Sequence, residues 1–79
     1  MTRIVSTSHA RDQMASRRIA SSQVERALAA PTRLYPGHGG RLAAERVTTI
    51  GNTLRVVDAE RVTATETVLT VITVIRIRM

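Results

Sequence analysis

The chain has 79 residues, enough for one domain, and a domain this small buries only about 60% of the surface its unfolded chain exposes. Its formal charge is +6 and it contains no cysteine, which excludes disulfides and thiolate chemistry. Two histidines with no cysteine and no carboxylate at ligand spacing argue against a structural zinc, and the longest apolar run, Val68 to Ile75, is too short to span a membrane.

Every basic side chain is an arginine. Codon bias in a GC-rich genome accounts for that, and so does affinity for phosphate, which guanidinium grips with two parallel hydrogen bonds. Tyr35 is the single aromatic residue, so the core must be built from Val, Ile, Leu, Ala and Met. Such a core is thin, and a dimer sharing apolar surface would relieve it. The N-terminus lacks the apolar centre of a signal peptide, and the composition suits a cytoplasmic protein.

Thr2 to Val5 reads as a short extended lead-in, because Ile4 and Val5 are β-branched. A first helix is expected from Ser8 to Arg17, with Ser6, Thr7 and Ser8 as candidate N-caps. Ala10 and Met14 mark its apolar face; His9, Gln13 and Arg17, four residues apart, stack along another. Ile19 and Ala20 make the turn. A second helix begins at Ser21 or Ser22, where Ser22 and Glu25 have capping-box spacing. Val24, Ala27 and Leu28 form its apolar stripe, and Pro31 ends it.

From Thr32 the pattern shifts to period two. Thr32 to Tyr35 is a candidate strand, followed by a flexible turn at Gly37-His38-Gly39-Gly40. Arg41 to Ile50 reads as the next strand, although Leu42-Ala43-Ala44-Glu45 also accepts helix; Gly51-Asn52 reads as a tight turn, and Thr53 to Asp58 as the return strand, with Leu54, Val56 and Asp58 on one side and Thr53, Arg55 and Val57 on the other. Ala59 to Thr65 suits a loop or a strand end. Val68 to Arg78 is a long, β-branched last strand. Its two rows, Leu69-Val71-Thr73-Ile75-Ile77 and Val68-Thr70-Ile72-Val74-Arg76-Arg78, are both largely apolar, which suits a central strand or one covered by another subunit. The expected class is α+β: two N-terminal helices on one face of a three- or four-stranded antiparallel meander.

Metal-independent RNA cleavage needs a base for the 2′-OH proton, an acid for the leaving 5′-oxygen, and cations for the crowded phosphorane. His9 suits a proton role because imidazole titrates near neutral pH. Arg17 and Arg55 suit the charge role, and a hydroxyl of the last strand, Thr70 or Thr73, can complete the group. Arg11, Arg46 and Arg76 are candidate phosphate ligands. Arg55, Arg76 and Arg46 are expected to converge on the sheet face away from the helices. His9 also fits a locally bonded helix-start residue, His38 an exposed turn, and Tyr35 a half-buried strand residue.

The order His9-Ala10, Met14, Arg17 and Ile19, then Val24 and Leu28, resembles a small bacterial family of unknown function with the signature H-A-x-x-R-M-x-x-R-G-I. Gln13 stands where that signature has arginine, and Arg18 where it has glycine. The family is usually grouped with RelE/BrnT-like toxins of the barnase–EndoU–colicin–RelE superfamily. The resemblance implies a RelE/BrnT-like domain over residues 1–79, a toxin-type ribonuclease needing no cofactor or metal, with RNA as substrate and an antitoxin or other acidic protein as partner. With Gln13 and Arg18 departing from the signature, a second expectation is a non-catalytic basic module of the same fold, phage or mobile-element encoded, that binds nucleic acid or an acidic protein. A third is self-association as a homodimer through the last strand.

Overall fold

A computed structural model describes residues 1–49 and 52–78. The order is β1 (Thr2–Ser6), α1 (Ser8–Ser16), α2 (Ser21–Ala29), β2 (Arg33–Pro36), a 3-10 turn (His38–Gly40), β3 (Leu42–Thr49), β4 (Asn52–Val62) and β5 (Thr67–Arg78). The strands form one sheet in the order β1-β5-β4-β3-β2. Strands β2 to β5 are the antiparallel meander expected from the sequence. The lead-in adds a fifth strand, pairing parallel to β5 from Thr2↔Thr67 to Ser6↔Val71, which makes β5 central over its first half. β4 runs on to Val62, so Ala59 to Val62, within the stretch read as a loop or a strand end, is a strand end. Ile50 and Gly51, on which the strand end and the tight turn were expected, lie outside the described residues.

Local chemistry explains both helix starts. Thr7 caps α1, its Oγ1 accepting from Ala10 N at 3.1 Å. The expected Ser22–Glu25 box does not form. Instead Ala20 sits at the cap of α2, and Gln23 Oε1 accepts from Ala20 N at 2.9 Å. The box forms two residues earlier than expected, directly after Ile19 enters the core. The turn itself is a Schellman motif: Ile19 N donates to Met14 O at 2.8 Å and Arg18 N to Ala15 O at 3.3 Å. Arg18 takes the left-handed position, with φ 54°.

The helices pack on one sheet face. Ala10, Met14, Ile19, Val24 and Ala27 meet Leu54, Val56, Val71 and Val74, with Ile4 and Leu28 at the margin. Strict alternation would put Val71 and Val74 on opposite faces. A register shift at Val57/Asp58 leaves Ile72 as an extra residue on β5, so both point at the helices. Cross-strand partners share a face, so Ala44, Arg46, Asp58, Leu69 and Arg76 also lie on the helix side. Val5, Tyr35, Glu45, Arg55, Val57, Thr70 and Thr73 lie on the open side.

Helix α1 finishes the edge of β5 that β1 is too short to cover. Thr7 N donates to Val71 O at 3.0 Å. Beyond it, Gln13 Oε1 accepts from Val74 N at 2.9 Å, and Arg17 Nη1 donates to Val74 O at 3.4 Å. A strand edge left bare would pair with another chain. A second copy joining β5 edge to edge would have to replace β1 or displace these side chains.

Candidate functional site on the open sheet face

Three neighbouring strands bring a polar cluster together on the face without helices. The register sets Arg33 opposite Glu45 and Glu45 opposite Arg55. Tyr35, two residues along β2 from Arg33, stands on the same face. Glu45 Oε2 accepts from Arg55 Nε at 2.7 Å and from Tyr35 Oη at 2.9 Å. The guanidinium carbons of Arg33 and Arg55 lie 5.3 Å and 5.9 Å from the Tyr35 ring centre, within cation–π range. Thr73 is beside this group, paired with Val57, while Arg55 pairs with Ile75.

The electrostatics separate the roles. The hydrogen bond from Arg55 holds the Glu45 carboxyl below its ordinary value, outweighing the desolvation of a residue only 9% exposed. Glu45 is therefore an ionised acceptor, and Oε1 carries no hydrogen bond among the described residues. Desolvation, then the bond to Glu45, pushes the Tyr35 phenol up, so it remains protonated. Arg55 spends Nε on Glu45.

The sequence candidates divide among three places. Arg55 and Thr73 are on the open face. Arg46 and Arg76 are on the helix face, so the expected convergence of Arg55 with them does not occur: Arg76 pairs with Leu54, and Arg55 is the next residue, pointing the other way. Together with Arg26 they line a pocket of about 300 Å³ beside α2. His9, Gln13 and Arg17 do share one stripe of α1, and it lies along the β5 edge. His9 on this stripe and Arg11 on the other side of the helix are both exposed, and neither side chain makes a hydrogen bond among the described residues, while Arg17 donates to Val74 O. His38 is an exposed turn residue between positive-φ glycines on one side and Gly37 on the other.

Glu45 and Tyr35 were missed as functional residues. Leu42-Ala43-Ala44-Glu45 reads locally as helix-compatible, and nothing in the chain order pairs a carboxylate at 45 with a guanidinium at 55. The available signal was the period-two parity of Glu45 on a strand that faces Arg55. No cluster of three or more metal-ligating side chains occurs among the described residues, and no described helix is long and apolar enough to cross a membrane.

Two helices over one face of a mostly antiparallel sheet, with a carboxylate–guanidinium–phenol cluster on the other, define a small α+β domain with one open, polar-centred face. The chain belongs to the family described as Domain of unknown function (DUF4258), whose model matches residues 6–76. No curated protein and no solved structure gives a significant match.

Proposed function

We propose that the chain is a toxin-type, metal-independent ribonuclease of the RelE/BrnT-like kind, with its site on the open sheet face. The observation that carries this reading is the Glu45 carboxylate, ionised and shared by Tyr35 and Arg55, on the uncovered side of a domain with charge +6. Glu45 Oε1 takes the proton of the ribose 2′-OH. The 2′-oxygen then bonds to phosphorus as the P–O5′ bond breaks, while Arg55, assisted by Arg33, holds the phosphorane oxygens. Tyr35 gives its proton to the departing 5′-oxygen; after the step Glu45 Oε1 releases its proton to solvent and Tyr35 takes one from solvent. Thr73 supplies a hydroxyl to the scissile phosphate. The proton role assigned to His9 by sequence passes to Glu45, because His9 stands on α1 and the cations of this face stand around Glu45. An acidic antitoxin masking the face in the cytoplasm is the partner this reading implies.

The test is digestion of total RNA in EDTA. Wild type leaves 2′,3′-cyclic phosphate and 5′-hydroxyl ends. Glu45→Gln keeps the shape of the side chain and slows cleavage about 100-fold or more, the usual range for a lost proton-transfer group. Arg55→Gln slows it comparably, and His9→Ala by no more than a few-fold. Circular dichroism of each variant separates lost chemistry from lost fold. Intact RNA with folded wild type, and no slowing of growth on expression, removes the ribonuclease reading.

A second reading is a non-catalytic basic module binding nucleic acid or an acidic protein. It is favoured by the fact that the same cluster ties β2, β3 and β4 together, so Glu45 has a structural use without chemistry. Salt-dependent RNA binding without cleavage, retained by a folded Glu45→Gln variant, selects it.

A further inference from the structure

Helix α2 lies across β3 and β4 and splits the helix-covered face into two troughs of opposite character. On one flank Glu25 and Glu60 border an apolar trough with Ile4, Leu28 and Leu69. On the other, Arg26, Arg46 and Arg76 border the pocket of about 300 Å³ with Gln23 and Thr48. The adjacent residues Glu25 and Arg26 thus fall on different sides of their helix. Among the described residues the ion pairs are Arg3–Glu66 and Arg55–Glu45, so no carboxylate neutralises the three guanidinium groups of this pocket.

We infer that this pocket is a phosphate-binding site, separate from the open face and independent of the ribonuclease reading. Three like charges gathered from α2, β3 and β5 repel one another, and a bound dianion reverses that penalty. Arg46 is pre-set for the task, since one of its terminal nitrogens donates to Ala30 O at the end of α2 and fixes the side chain. Arg26 and Arg76 are exposed and their side chains make no hydrogen bond among the described residues, leaving both guanidinium forks for phosphate oxygens. Gln23 and Thr48 add neutral polar groups to the lining. The volume sits at the lower limit of ligand cavities, which suits a phosphate with its sugar and not a large organic ligand. The phosphate belongs to an RNA strand or to a free nucleotide, and the experiment separates these sources.

The test is a nitrogen-15 NMR titration of the full chain, with arginine Nε–H resonances resolved. Inorganic phosphate, a mononucleotide and a short RNA are added in parallel. Phosphate is expected to shift Arg26 and Arg76, and each of Arg26→Gln and Arg76→Gln to weaken its binding about tenfold, with unchanged circular dichroism. RNA binding far tighter than the mononucleotide assigns the site to a strand; equal binding assigns it to free nucleotide. The inference is overturned if the shifts map to Arg55 and leave Arg26 and Arg76 unmoved. It is equally overturned if the double variant binds phosphate like wild type, or if an Asp/Glu-rich peptide displaces phosphate at lower concentration, which would make the pocket a docking point for an acidic protein.

Discussion

Arg18 occupies a backbone position that favours glycine. Its φ of 54° lies in the left-handed region, where a Cβ crowds the following carbonyl at a cost of roughly 1–2 kcal/mol. The position cannot relax, because the Schellman bonds to Met14 O and Ala15 O depend on it, and Ile19 reaches the core only through that reversal. Arg18→Gly is expected to raise stability by about 1 kcal/mol, read as a higher midpoint in urea at unchanged slope. An unchanged or lower midpoint would show that the guanidinium itself contributes to the fold. Gln13 likewise has a local account. Val74 N needs an acceptor, which an amide oxygen supplies and a guanidinium cannot.

At the scale of elements, β5 determines the arrangement. It contributes Val71 and Val74 to the core and borders β1 and β4, and its extra residue at Ile72 decides which side chains face the helices. That bulge explains why parity counted along the strand fails halfway. The count is right within each half and reverses between them. The second half of β5 lacks a strand partner on its α1 side and relies on Gln13 and Arg17. Gln13→Leu removes the acceptor for Val74 N and adds an apolar surface beside an open edge. It is expected to destabilise the protein by about 1–3 kcal/mol and to shift it toward larger species in light scattering. A variant that matches wild type in both solution size and stability would show that the edge is protected by other means.

For the whole molecule, acid stability reflects two buried carboxylates acting in opposite senses. Glu45 has a lowered pKa, so its contribution is present above about pH 4.3, the unfolded value, and is lost as pH falls through the folded one. Asp58 is only 2% exposed, between Leu42 and Val71 on the helix side, and burial, then the charge of Glu60, pushes its pKa up. A raised carboxyl stabilises the fold fully below about pH 3.9, its unfolded value, and loses that contribution as pH rises through the folded pKa. Asp58→Asn should therefore melt near the wild type at pH 3.5 and several degrees above it at pH 7. A difference that does not grow with pH would mean that Asp58 is ionised in the fold at little cost.

The sequence by itself determined the class of this protein, two helices and then a meander, because hydrophobic periodicity and capping chemistry act over a few residues. It also marked the apolar stripes of Ala10-Met14 and Val24-Ala27 and the grouping of Leu54, Val56 and Asp58 on one side of a strand. Only the tertiary structure decided that Thr2 to Ser6 is a strand, since a short extended segment becomes one only where a partner edge awaits it. It alone parted Arg55 from Arg46 and Arg76 and brought Glu45 and Tyr35 to Arg55. Those outcomes rest on register between strands distant in the chain, and a one-residue change in register sends a side chain to the opposite face.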